Sequence, residues 1–437
     1  MKRDSMVFQL ISSLGTKFFV LIGSFVISVI IARILGPEGK GIVTSIFVIP
    51  NLLVSLADLG VRQATAFFVG KRIYDVSKIY SSILFVWVLT SFLSIVFTII
   101  YYNFFMSDQY SWSLLLIPLF SIPILLLNKY NEGMLLGFQQ IVFINAKQII
   151  NFLTHFILVF ILIVIFNLRI QGAALSIMIS GFTAVAFSTL ILRKFVKLKK
   201  PESKIAFEVI KKGITYAIAL FILNLNYKID IVFLEWFGGP KDIGIYSVGV
   251  TLSELIWQVP SAMGMVLFSK SANSKSTQEA TNRSTRLLRF SWPPILFCSV
   301  ILWYTAPIFV SVLYGEEFIY SASVIRILLP GVVAMVVFKI LNADLAGRGK
   351  PLFALKVYFF SLFINVILNA ILIPLLGIIG AAIASSISYS LGAIIFGSLY
   401  LKNNNLSARK ILFLNKEDKA ILGDLLMKIK RKTWRHK

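Results

Sequence analysis

Cysteine and histidine are almost missing from this chain: Cys298 stands alone, and His155 and His436 are the only imidazoles. A lone cysteine excludes an internal disulfide, and so few thiols and imidazoles leave no ligand set for a zinc site. Neither a Walker-type phosphate loop nor a nucleophile elbow occurs, and Gly349-Lys350 lacks the upstream glycine that a phosphate loop requires. The chain therefore reads as a non-enzyme with no cofactor and no metal. Charge is scarce as well, at 14% of residues against about a quarter in a soluble domain. Negative charge is scarcest, with 19 Asp and Glu set against 43 Lys and Arg.

Apolar sequence takes the place of what is lacking, since 58% of the 437 residues are hydrophobic. A hydrocarbon core of about 30 Å takes roughly 20 apolar residues per helix, and a helix satisfies its own backbone. Twelve segments meet that length: 10–35, 41–69, 79–102, 111–137, 147–166, 170–192, 213–237, 244–269, 290–314, 324–346, 352–374 and 378–401. The first has no small-residue cleavage site behind it and is expected to remain as a span. The fold class expected is an all-α integral membrane protein.

Basic residues gather in alternate connections. With a cytoplasmic amino terminus, that face receives Lys71, Arg72 and Lys78, then Lys147, the run from Arg193 to Lys212, and the basic tail. The other face keeps little beyond Lys40, Arg169 and Lys241, with Arg33 and Arg326 at helix ends. The positive-inside rule then places both termini in the cytoplasm. This distribution accounts for the basic surplus, and no nucleic acid partner is needed. Residues 193–212 read as a basic linker between six-helix lobes at 1–192 and 213–401. The tail, 402–437, is either an amphipathic helix on anionic lipids of the cytoplasmic face or a solvated extension.

The halves are related. Gly36-Pro37 with Gly41-Ile42 returns as Gly239-Pro240 with Gly244-Ile245, 203 positions on, and Gly172-Ala173-Ala174 returns as Gly380-Ala381-Ala382, 208 on. A fixed offset near half the length marks duplication. Six spans per half is an even number, so both copies enter the membrane in one direction as parallel lobes, the arrangement of a transporter with its substrate between repeats.

Several charges fall inside spans. A charge at the bilayer centre costs about 2.5–3.5 kcal/mol, so such groups pair or line a wet path. Asp58 and Arg62, four apart, share one helical face and either neutralise each other or line the path; Lys129 and Glu132 read as a pair. Lys17 either snorkels to the inner surface or joins the path. Lys228 and Asp230, two apart, each need a partner elsewhere, and Lys339 has no anion three or four positions away. The cations expected to hold a substrate diphosphate are Arg62, Lys228, Lys339 and Lys17. Asp58, Asp230 and Glu254 are candidates for ion coupling. His155 reads as a packing residue or a proton relay.

An interior with spare positive charge selects an anion, and the diphosphate head of a lipid-linked sugar fits it. Ala32-Arg33-Ile34-Leu35-Gly36-Pro37 with Gly41, Asp58-Leu59-Gly60, Asp230 followed by Gly244 and Tyr246, and Tyr314-Gly315 with Phe318 resemble the polysaccharide (oligosaccharide) flippase family. Asn342, Gly347, Gly349, Lys350-Pro351, Gly377 and Gly380-Ala381-Ala382 continue the likeness over nearly the whole chain before the tail. That family lies in the multidrug/oligosaccharidyl-lipid/polysaccharide exporter superfamily. Ile42-Val43 departs from it, where many relatives carry an aromatic. The resemblance implies twelve helices in two lobes, alternating access, and export of an undecaprenyl-diphosphate-linked oligosaccharide for O antigen or capsule, beside a polysaccharide polymerase. It does not supply the site cations, which come from this sequence alone. A multidrug exporter is the alternative, but it would favour an acidic interior; a membrane polymerase would need a large outer loop.

Overall fold

A computed structural model describes residues 6–274, 276–350, 352–409 and 418 of the protein. No strand occurs among the described residues. The chain forms two compact units: Met1–Val248 with Ile308–Ser321 and Val366–Ala381, and Gly249–Pro307 with Ala322–Asn365 and Ala382–Lys437. Among the described residues, ten helices are long and apolar enough to cross a membrane, or eleven if one bent pair counts as a single span. Side chains such as Phe92, Phe97, Phe104, Phe359 and Leu375 stand exposed along them, which an apolar solvent rewards and water does not. The protein is a multi-pass membrane protein.

In the first unit, α1 (Met6–Ala57) runs through a break at Gly36, where φ is 68°. A turn at 58–60 then separates it from α2 (Val61–Lys71), and Gly60 caps α2 at φ 66°, a conformation that favours glycine. The segment expected at 41–69 is thus two helices, because Asp58-Leu59-Gly60 stops the first. Next come α3 (Val76–Phe105), α4 (Trp112–Gly137), α5 (Ile141–Val159), a π-helical extension at Phe160–Ile165, and α6 (Arg169–Leu192). Helix α4 packs on α2 and α6, and α1 on α5.

The segment expected at 213–237 begins earlier and is bent. It comprises α7 (Ser203–Asn226) and α8 (Ile229–Phe237), 45° apart, with Lys228 at the α8 N-cap. Of the basic stretch 193–212, only 193–202 is a connection; Lys204, Lys211 and Lys212 lie in α7. That connection is fastened to α3: the backbone N–H groups of Lys197, Lys199 and Glu202 donate to Ser77, Ser81 and Ser82. Lys199 meets Asp75 at 3.1 Å, and this bond holds the Asp75 carboxyl below its ordinary range.

Helix α9 (Pro240–Glu254) follows, then a 3-10 turn at Leu255–Trp257 and α10 (Gln258–Ala272). After them come α11 (Thr277–Tyr314), α12 (Ser321–Gly347), α13 (Phe353–Leu376) and α14 (Ile378–Asn403). The expected span at 290–314 extends thirteen residues further back, to Thr277. The second unit is tied by buried bonds: the Trp257 indole donates to the Val332 carbonyl at 2.8 Å, and Ser361 meets Ser388 across α13 and α14. Arg348 pairs with the fully buried Asp344, whose Oδ2 also accepts from the Tyr400 hydroxyl at 2.6 Å. The tail expectation lies outside the described residues, apart from 402–409 and from Asp418, which Arg289 holds at 2.5 Å.

The repeated motifs are themselves packing sites. A Cβ on Gly41 would overlap the Pro240 carbonyl, and one on Gly244 would overlap the Pro37 carbonyl, so the two copies of the Gly-Pro motif pack reciprocally. A Cβ on Gly137, ending α4, would press on the Val69 side chain of α2; one on Gly347, ending α12, would press on the Phe268 carbonyl of α10. Each close approach demands a residue without a side chain.

Candidate substrate-binding site

A cavity of about 260 Å³ opens in the first unit between α1, α2, α4 and α7, with Asp58, Arg62, Gln63, Lys129, Glu132 and Asn224 on its walls. The break at 58–60 builds it. Because the helix stops there, Asp58 and Arg62 do not form the pair expected on one helical face. Arg62 crosses to Glu132 of α4 at 2.7 Å. Gly133 allows this, since any Cβ there would press on the Arg62 backbone.

Glu132 is also bound by Lys147 of α5, at 2.8 Å. The expected Lys129–Glu132 pair is therefore replaced by an Arg62–Glu132–Lys147 triad. Lys147, expected at the cytoplasmic face, is 3% exposed. No local signal marks it, because its partner is 15 residues away on another helix. Lys129 instead reaches the Val54 carbonyl at 3.5 Å and acts on the buried Asp58 carboxylate. Lys17, exposed on α1, stands within electrostatic reach of Arg62 and Glu132.

The cluster thus gathers four cations, Lys17, Arg62, Lys129 and Lys147, around two carboxylates, Asp58 and Glu132. Its formal surplus is positive. Three wall atoms are buried without a hydrogen-bond partner: Asp58 Oδ1, Arg62 Nε and Gln63 Oε1. Unsatisfied buried polar atoms are costly, and three in one cavity fit a site completed by a polar ligand. Asn224 of α7 bridges to Ser55 of α1 at 2.8 Å along the same wall.

The other expected residues lie apart from this cavity. Lys228 is exposed at the bend between α7 and α8, near Lys40. Lys40 reaches back to Ser28 at 3.4 Å and acts on His155, whose Nε2 is buried without a hydrogen-bond partner. Asp230, 1% exposed, accepts from the Tyr246 hydroxyl and the Ile231 amide. In the second unit Lys339 lies over the Trp257 ring, 4.2 Å from its centroid, and within the field of Glu254. Glu254, which has no cation near it in the sequence, thus has one in space. No group of three or more potential metal ligands occurs among the described residues.

Residues 9–269 match the sequence profile of the polysaccharide biosynthesis protein family, and residues 216–371 match the MatE profile. A membrane protein of Methanocaldococcus jannaschii, MJ1068, is 24% identical over 78% of this chain and 73% of its own length. The probable flippase AglR of Haloferax volcanii is 32% identical over 39% of this chain and 37% of its own. Among solved structures, the lipid II flippase MurJ in an inward closed conformation superposes with a TM-score of 0.73 at 16% identity, over 91% of this chain and 88% of that one. That likeness shows a shared fold. With the first profile covering more than half of its length, the chain belongs to the polysaccharide biosynthesis protein family.

Proposed function

We propose that the protein moves a polyprenyl-diphosphate-linked oligosaccharide between membrane leaflets by alternating access, and that the α1–α2–α4–α7 cavity holds its diphosphate. The observation that carries this reading is the cationic surplus beside three unsatisfied buried atoms on one wall. A phosphate oxygen about 4 Å from an ammonium gains roughly 4 kcal/mol at an effective dielectric constant near 20. Arg62 supplies a planar fork to phosphate, whereas Lys17 and Lys129 supply point charges. Asp58 Oδ1 and Gln63 Oε1 accept from sugar hydroxyls. Lys228 and Lys339 remain candidate contacts along the path, and Asp58, Asp230 and Glu254 remain candidates for coupling. A probable flippase and a probable low-salt glycan biosynthesis flippase among the relatives support the substrate class.

In this proposal Ser12–Lys71 counts as two spans around Gly36 and the bent pair as one, for twelve in all; an even number puts both termini on one face, and the basic connections favour the cytoplasmic one. The expected lobes, 1–192 and 213–401, belong to the same proposal. The carrier is undecaprenyl diphosphate if the membrane is the bacterial inner membrane, where O antigen or capsule is the product and a polymerase the downstream partner. The archaeal relatives widen it to polyprenyl diphosphates in general. A multidrug exporter would select cations, against the sign of the cluster.

Reconstitution into vesicles with a fluorescent polyprenyl-diphosphate disaccharide tests the proposal. Wild type is expected to expose the label to an impermeant quencher, and Lys129→Ala to slow this about tenfold, the loss of one charged contact. Movement of a cationic dye with no movement of the glycolipid would overturn it.

A further inference from the structure

Glu235, on α8, is a second buried carboxyl that the diphosphate site does not use. It is 5% exposed. Its Oε2 accepts from the Ser45 hydroxyl of α1, whereas its Oε1 is buried with no hydrogen-bond partner. The Tyr110 side chain, from the connection between α3 and α4, stands close enough to act on this carboxyl, yet its hydroxyl also has no hydrogen-bond partner. The other titratable neighbours are Tyr101 and Tyr102 of α3. Tyr102 donates to the Ile46 carbonyl, and Tyr101 accepts from the Trp236 indole at 3.1 Å. All three are phenols. No cation acts on Glu235 among the described residues, and no ion pair holds it. A buried carboxylate without a counter-charge is unfavourable by several kcal/mol, whereas a neutral carboxylic acid is tolerated.

The position gives this consequence. Ser45 follows Gly41 by one turn, and Glu235 precedes Pro240 by five residues, so the carboxyl lies beside the reciprocal packing of the duplicated Gly-Pro motifs. We infer that Glu235 is a proton-binding site that couples this α1–α8 crossing to proton movement: the neutral acid keeps α8 against α1, and loss of the proton leaves an uncompensated charge that drives the crossing apart. Protonation forms the Oε–H bond, with the proton drawn from and returned to water when the crossing opens. This rests on the transport reading, for which it names the coupling ion.

The test uses the full chain in lipid vesicles, with Cys298→Ser and spin labels on α1 and α8 flanking the crossing. Wild type is expected to lengthen the label distance as pH rises, and Glu235→Gln, which is isosteric and cannot ionise, to keep the short distance at every pH. Glu235→Asp is expected to restore the transition. Infrared spectra should show a carboxylic-acid band that Glu235→Gln removes. A label distance that follows pH equally in wild type and Glu235→Gln would overturn the inference, as would absence of that band at low pH. Glycolipid movement that ignores pH and survives Glu235→Gln would overturn it while leaving the transport reading intact. A pH-driven opening that Glu235→Gln abolishes, in vesicles that move no glycolipid, would support the inference and remove the transport reading instead.

Discussion

Lys129 and Lys339 stand at the same place in two copies of one design. Each lies eight residues before the glycine that ends its helix, Gly137 in α4 and Gly347 in α12. Each reaches a residue thirteen positions after a motif glycine: Lys129 the Val54 carbonyl, after Gly41, and Lys339 the Trp257 ring, after Gly244. Their company differs. Lys129 has Asp58, Arg62 and Glu132 around it; the same positions near Lys339 carry the uncharged Ser261, Met265 and Asn342. The two places share the spacing and the cation, while the neighbouring charges differ. The first copy became a dense, partly self-neutralised cluster, and the second kept one lysine tempered by an aromatic face and Glu254.

The largest break in this comparison is expected at Glu132. Replacing it with Ala strands Lys147, 3% exposed, without the carboxylate that holds it. Removing one partner of a buried pair costs about 3–5 kcal/mol, so thermal unfolding in detergent should move down by many degrees or the protein should fail to accumulate. Asn342→Ala, at the matching place, should change stability by less than about 1 kcal/mol. Equal losses at both sites would show that the first cluster is not a structural centre.

Transport should rank the two lysines in the opposite sense. Arg62 and Lys17 remain near the first site when Lys129 is lost, whereas Lys339 stands in the field of Glu254, an anion. Lys339→Ala should slow glycolipid movement about 100-fold and Lys129→Ala about tenfold, at matched expression, since a charged contact contributes roughly 1.5–3 kcal/mol. A larger effect at Lys129 would reverse the comparison.

The sequence made the duplication and the apolar segments legible, because both are recorded in local order: a motif at a fixed offset, or a run of apolar residues. Partners distant in sequence were not. Arg62 and Glu132 are 70 residues apart, and charge counted by loop does not reveal that Lys147 is buried against Glu132. The equivalence of Lys129 and Lys339 was hidden because their offset is 210 whereas the Gly-Pro motif repeats at 203, so a few extra residues between elements displaced the register. The break at 58–60 did carry a signal, the Leu59-Gly60 step, but apolar sequence on both sides read as one span.

Making the second site resemble the first would sharpen the comparison. Asn342→Glu sets a carboxylate three residues from Lys339 on α12, the spacing of Lys129 and Glu132 on α4. The added charge should compete for the lysine and weaken glycolipid diphosphate binding about tenfold, with little change in folding, as measured by scintillation proximity on the purified protein. Unchanged binding would place the substrate away from Lys339.

The smallest effect is expected at Trp257, which has two duties. Its ring faces the Lys339 ammonium, and its indole N–H donates to Val332 across the second unit. Trp257→Phe keeps a ring but loses the hydrogen bond and part of the cation–π attraction, together about 1–2 kcal/mol. Trp257→Leu removes the ring entirely. If the ring serves Lys339, Leu should slow glycolipid movement about three- to fivefold more than Phe, while the two proteins unfold at similar temperatures because both lack the indole donor. If transport follows unfolding temperature across wild type, Phe and Leu, the aromatic serves packing alone, and the second copy's lysine is tempered only by Glu254.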